Sequence, residues 1–506
     1  MVEAEVVALK LKNTFEKFEL SAYPTYFAGI PKESLAALAR ANRRAELIQL
    51  ATDGFLTFVV AADKAAVPLS RTTREAFLRR VIVQMKVEKR TFSQADIVQF
   101  AKEFSDEFDY GIRPLEFVQS FMDQGILAVD SEKVIFALPF IENYLLALEC
   151  SHGPSLAAGY FQLNAMDVDL KTFDLYAEIG ASKEIMKGVL DQVKASIDTL
   201  ELAEGEKHIL LTNKIHPAYL KERDQLAAMQ RRLLSTASDV QEHRGDLAEK
   251  QKFLDLVDRV KDRTSKDSRL RAVTDRPETT DLDRALKNWS LGVTLLGSGA
   301  ERLNGDQKKE LIENLVELAA LAIHHWTKLH HSIDFELIKA GLLEDDVIKT
   351  APFYVEGKSD EMKKIVGGVI DLVEYGVLSG PFQRVMHYLC EHACNKVLIG
   401  SFERAATRGE FERFIHGAWF SDVDAKKGKE VLQPAIKRLP EVYFLRMNVA
   451  SQLFMRVYWS HWNMADRLLL LDAATEALAA LNMQLNKAEL IRMVEKSEQD
   501  GPAAAE

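Results

Sequence analysis

The chain has 506 residues, of which 47% are hydrophobic and 28% charged, and its formal net charge is -11. The length suits about three domains and the composition is that of a globular protein able to bury large cores. The acidic balance excludes wholesale steering of the chain to nucleic acid or to an anionic membrane. Three cysteines, Cys150, Cys390 and Cys394, are too few for a disulfide framework and suit a reducing compartment. The first twenty residues carry acids and lack a signal-peptide apolar core, and no run reaches the ~20 apolar residues of a membrane span. The expectation is a cytoplasmic protein with no membrane partner. With 25 Gly and 13 Pro in 506 residues, against abundant Ala and Leu, it is expected to be mainly α.

Residues 1–90 are predicted to form a helical, lid-like segment. Pro31 suits a first helical turn, and Leu35, Leu38, Leu47, Ile48 and Leu50 supply apolar stripes. Asp53-Gly54 is predicted to break this helix, leaving Phe55 to Val60 as a strand or a resumed helix. Ser70 to Lys86 returns to helix, with Ser70 or Thr72 as N-cap.

Residues 91–150 carry a more specific order. Ser93 to Phe104 is predicted as a helix opened by a Ser93-x-x-Asp96 capping box. Arg113 to Gln124 is a second helix, with Pro114 at its start and Gly125 behind it. Ile126 to Val129 and Val134 to Phe136 are β-prone runs around the polar turn Asp130-Ser131-Glu132-Lys133. Pro139 ends the second run and Ile141 to Cys150 is helical again. Helix, helix, hairpin, helix is the outline of a winged helix embedded in helical domains.

Residues 151–262 are expected to be a helical domain. Its long helix shows Leu226, Leu233, Val240, Leu247 and Leu254 at a spacing of seven. The companion positions Thr236, His243 and Lys250 are polar, so a narrow seam on the same protein fits better than a coiled coil. Residues 263–283 read as a charged linker broken by Pro277. Residues 284–496 form a C-terminal helical domain with helices at Lys308–Lys328, Glu361–Tyr375, Phe382–Ile399 and Met464–Asn482, and 497–506 a disordered tail. No fixed repeat period is present.

The chemistry-bearing clusters are sparse. His387, Cys390 and Cys394 would share one face of a helix and are the candidate metal ligands, with His392 pointing elsewhere; their spacing matches no familiar zinc pattern. His324, His325, His330 and His331 flank Trp326, with Asp334 beyond, and lack an H-E-x-x-H arrangement. Cys150 has only His152 nearby as a base. Arg269 and Arg271 in the linker are the candidate contacts to an RNA or an acidic partner. Trp419, Phe420, Tyr458, Trp459 and Trp462 are read as core, or in part as a recognition surface. The helix Arg113 to Asp123, which a DNA-binding winged helix would place in the groove, holds one cation and two acids and so opposes DNA binding. No catalytic constellation and no cofactor motif is read.

A helical segment with Ala41-Asn42-Arg43-Arg44, the winged-helix outline, and Phe136-x-x-Pro139-Phe140-Ile141 with Tyr144 and Ala147 follow one another here. Downstream come Leu295-Leu296-Gly297-Ser298, Asn304-Gly305-Asp306 and Lys308-x-x-Leu311-Ile312-Glu313. This succession resembles the region after the nucleotide core in bacterial STAND (NACHT-like) P-loop NTPases, several of which serve antiviral defence. The resemblance implies a regulatory or sensor role in a larger switch. Two departures qualify it. The G-x-x-x-x-G-K-[ST] phosphate loop is absent, so the chain is expected to be either a separate subunit that meets a P-loop NTPase or effector protein in trans, or a remnant cut from its NTPase, with a trigger of phage origin. Leu138 also stands where such winged helices place a phosphate-touching histidine, and Leu cannot donate to a phosphate.

Overall fold

The computed structural model describes residues 43–62, 69–201, 280–331, 333–349, 384–390, 392–438 and 463–479, with isolated positions between them. The heptad-spaced segment, Arg269 and Arg271, most of 361–375 and the tail lie outside the described residues. What is described is mainly helical, with one two-stranded antiparallel sheet. Among the described residues no helix is long and apolar enough to cross a membrane. The chain divides into two compact units, residues 1–188 with 298–302, and residues 189–297 with 303–506.

In the first unit, helix α1 (Arg44–Ala62) runs straight through Asp53-Gly54, where the sequence suggested a break. A helical glycine costs about 1 kcal/mol. Leu47, Ile48, Phe55, Leu56 and Val59 are all buried on this helix, and each such burial returns roughly 1.5–3 kcal/mol. Asp53 pairs with Arg71 at 3.1 Å. Helix α2 (Arg71–Lys86) is capped by Ser70, whose side chain accepts from the Thr73 amide. Helix α3 (Gln94–Phe108) has the expected Ser93/Asp96 capping box and extends four residues beyond Phe104, ending at Asp109 in the left-handed region (φ 53°). Helix α4 (Pro114–Asp123) follows, then β1 (Leu127–Asp130) and β2 (Lys133–Phe136), paired Leu127 to Phe136 and Asp130 to Lys133. Ser131 and Glu132 make the two-residue turn with φ of 50° and 65°. Both signs positive is the hairpin geometry that matches strand twist. The Val134 amide also donates to the Phe92 carbonyl at 2.8 Å, laying the residue ahead of α3 beside β2.

Phe77 of α2 is the hub of this region. Its ring lies 5.1–5.9 Å from those of Phe100, Phe104, Phe117 and Phe121, so one side chain gathers α2, α3 and α4. The buried Arg74 guanidinium sits 5.1 Å over Phe117 and donates to Ser120 Oγ at 3.0 Å, which combines cation–π attraction with a hydrogen bond. Helices α5 (Pro139–His152), α6 (Pro154–Phe161) and α7 (Leu170–Gly180) complete the unit. Ile141, Leu145, Phe161, Phe173 and Tyr176 are buried on them.

The chain passes from the first unit to the second within α8 (Lys183–Leu200). Helix α9 (Asp281–Ser298) starts inside the stretch read as a linker, because Thr280 and Asp283 form a reciprocal cap there. In α10 (Gly305–His331) the Leu315 carbonyl accepts from Trp289 Nε1 at 2.9 Å. The short helices α11 (Phe335–Leu342) and α12 (Asp345–Lys349) follow. The helix read over Phe382–Ile399 is interrupted. Helical residues stop at Ala393, and Asn395 caps a 3-10 turn (Lys396–Leu398) before α13 (Ile399–Arg404). The Ala393 carbonyl turns sideways to Trp419 Nε1 at 2.9 Å instead of continuing the helix ladder. Helices α14 (Glu410–Val423), α15 (Ala425–Arg438) and α16 (Met464–Ala479) finish the described chain, with Trp419 stacked on Phe402 at 3.6 Å.

Candidate functional site

The face formed by α4 and the hairpin is the first candidate. Phe117, Val118 and Phe121 pull one side of α4 into the core, which leaves Leu115, Glu116, Gln119 and Asp123 exposed on the other. Arg113, the cation at the head of this helix, is held by Glu116 at 2.9 Å. On the hairpin Val129 and Ile135 are exposed, and the turn carries Asp130, Glu132 and a lone Lys133. Across α4 and the hairpin, residues 113–136, four acidic side chains stand against two basic ones. Such a surface repels phosphates; carboxylates around exposed apolar groups suit a protein surface of opposite charge. Leu138, at the N-cap of α5, is buried and offers no donor to a nucleotide.

The side-chain clusters singled out in the sequence come apart or have other duties. His387 is exposed and Cys390 half-buried on the helical residues 384–390, while Cys394 is exposed beyond the last helical residue. The regular helix that would align all three therefore ends too early. Cys394 Sγ donates to the Asp422 carbonyl at 3.6 Å. Among the described residues no group of three or more His, Cys, Asp or Glu side chains could hold a metal. His324 is buried, His325 Nε2 contacts the Leu200 carbonyl at 2.8 Å, and Asp334 caps α11 through the Leu337 amide. Burial, then the nearby Glu149 and Asp169 charges, push the Cys150 thiol up to about 12, away from nucleophilic use. His152 Nδ1 lies 2.7 Å from Arg79 Nη2 and is engaged there. Trp419 and Phe420 are core.

A further cluster was not singled out in the sequence. Arg43, Arg44 and Ala45 at the head of α1 meet Asp174 and Glu178 of α7 and the segment Ser298 to Glu301. The Ala45 amide donates to Glu178 Oε2 at 3.1 Å. Arg44 reaches Asp174 Oδ2 at 3.1 Å, Ser298 Oγ donates to Asp174 Oδ1, and Arg43 pairs with Glu301. Glu178 is buried, and its second oxygen, Oε1, has no hydrogen-bond partner. Burial raises its carboxyl to about 7 against the Ala45 hydrogen bond, with Asp174 adding to the rise and Arg43 and Arg44 opposing it. Arg43 and Arg44 thus share one polar cluster with Ser298. Its signal in the sequence is the Asp174/Glu178 pair at i and i+4 on one helix.

Two buried groups in the second unit are packing features. Lys287 approaches Gln192 Oε1 at 3.4 Å and Asn288 Nδ2 donates to Ser196 Oγ at 2.9 Å, fixing α8 against α9. Burial, with a smaller push from Arg284, lowers the Lys287 ammonium to about 8. His416 lies among Phe402 and Phe420, and burial lowers it to about 4. Comparison of the chain with protein-family models, with curated proteins and with solved structures gives no match.

Proposed function

We propose that this protein is a non-catalytic regulatory component of a STAND-type NTPase assembly of the antiviral kind, working through protein–protein contacts. In this reading α2, α3, α4, the hairpin and α5 form a winged helix, with Phe92 paired to β2 as its short first strand. The backbone order and the bond from the Val134 amide to the Phe92 carbonyl support that assignment. The observation that carries the functional reading is the acidic, partly apolar face of α4 and the hairpin. A winged helix that reads DNA presents cations there; this one presents Leu115, Glu116 and Asp123. Its partner is then a P-loop NTPase or effector supplied in trans, held or released as the helical domains meet a trigger of phage origin.

Affinity purification of the full chain from its native host tests this. Co-purification of a P-loop NTPase, lost on Leu115→Lys together with Val129→Lys, is the expected result. A chain recovered alone and monomeric overturns the proposal. Salt-sensitive retention on DNA would overturn it in favour of a nucleic-acid-binding regulator.

A further inference from the structure

The group that satisfies the Ala45 amide, in the first turn of α1, is the Glu178 carboxylate, 133 residues away in sequence. Glu178 is buried, yet only one of its oxygens is used. Four residues earlier, on the same helix, Asp174 holds Arg44 and Ser298. We propose that Glu178 and Asp174 form a protonation-gated clasp on the first turn of α1, closed when Glu178 is neutral and loosened when it is ionised.

The charges around Glu178 decide the direction. Ionised, its bare oxygen is a buried charge beside the Asp174 carboxylate, and both effects disfavour that state. The amide end of α1 and the two arginines favour it. However, Arg43 is already committed to Glu301 and Arg44 to Asp174. Helix α5, which also packs on α7, turns its carboxylates Glu142 and Glu149 to Lys86 and Arg79 of α2. Burial therefore dominates, as the rise of the Glu178 carboxyl to about 7 reflects. Protonation removes the charge from the bare oxygen while the other oxygen keeps the Ala45 amide.

The carboxyl ordinarily titrates near 4.5 and in the clasp near 7. The clasp is tightest below the lower value and weakens as pH rises through the upper one. Opening would free the 43–45 turn and, through Asp174 and Arg43, the 298–301 segment together. The clasp stands on the first unit alone, so failure to capture an NTPase leaves it untouched.

Hydrogen exchange of the full chain, followed on peptides covering 43–50 and corrected for intrinsic rates, tests it. Protection of the first turn in the wild type is expected to fall about tenfold between pH 6 and pH 8. Glu178→Gln, a permanently uncharged mimic, should hold its protection within about twofold over that range. Asp174→Asn should move the transition to lower pH by removing the neighbouring charge. Equal wild-type protection at both pH values, or a Gln variant as pH-sensitive as the wild type, would overturn the clasp. Should the Gln variant not fold, carboxyl-carbon NMR titration of Glu178 in the wild type decides: a midpoint near 7 supports the clasp and one near 4.5 refutes it.

Discussion

Gly297, one residue before the end of α9, offers a sharp test of the packing in the second unit. A methyl group built there would lie 2.7 Å from the carbonyl carbon of His392 and 3.2 Å from Ala393 Cα, and closer still to the His392 oxygen. These are backbone atoms and cannot swing aside as a side-chain tip can. Overpacking of this kind costs about 1–3 kcal/mol and at times more, against a helix-propensity gain below about 1 kcal/mol for replacing glycine. Gly297→Ala is therefore expected to lose roughly 2 kcal/mol. Gly292 and Gly400 provide the scale. At Gly292 the nearest obstacle, at 2.6 Å, is the terminal methyl of Leu315, which can rotate; at Gly400 there is nothing within 4 Å. The expected order of stability is Gly400→Ala above wild type, Gly292→Ala close to it, and Gly297→Ala well below. All five tryptophans fall in this unit, so urea denaturation followed by tryptophan fluorescence reports on it selectively. A Gly297→Ala protein as stable as the Gly400→Ala one would refute the close approach of α9 to the 392 carbonyl.

The hairpin should respond in the opposite sense. Ser131 and Glu132 hold positive φ without being glycine or asparagine, so Ser131→Asn with Glu132→Gly is expected to stabilise the first unit by about 1–2 kcal/mol; backbone-amide hydrogen exchange of β1 and β2 would show it. His416 predicts acid sensitivity of the second unit. Its pKa is depressed to about 4 from 6.5, so its contribution is intact above 6.5 and is lost as pH falls towards 4, to a total on the order of 3 kcal/mol. In His416→Leu, fluorescence-monitored denaturation at pH 7 and pH 4.5 should differ less than in the wild type, and an unchanged difference would count against the burial of this ring.

The elements with local signals were legible in the sequence. The Ser93/Asp96 cap, Pro114 and Gly125 around α4, and the hairpin runs each depend on contacts within a few residues, and all stand where the pattern put them. Elsewhere tertiary contacts outweigh local preference. Gly54 is carried through α1 by its buried neighbours, and the helix stops at residue 393, whose carbonyl accepts from Trp419 Nε1 and the Asn395 amide. The acidic character of α4 was visible in composition alone. The Glu178 cluster was not, since its members are brought together across more than a hundred residues and only the spacing of Asp174 and Glu178 hints at it.

The five residues 298–302 belong to the first unit although the chain on both sides of them belongs to the second. A gene fragment ending at residue 188 would therefore encode the first unit without Ser298 and Glu301, leaving Asp174 and Arg43 without those partners. Neither unit is a contiguous cassette. Recombination, domain-trimming for expression, or a proteolytic cut between residues 189 and 297 would each separate one unit from part of its own sequence, so the two are expected to be inherited and degraded as a single piece.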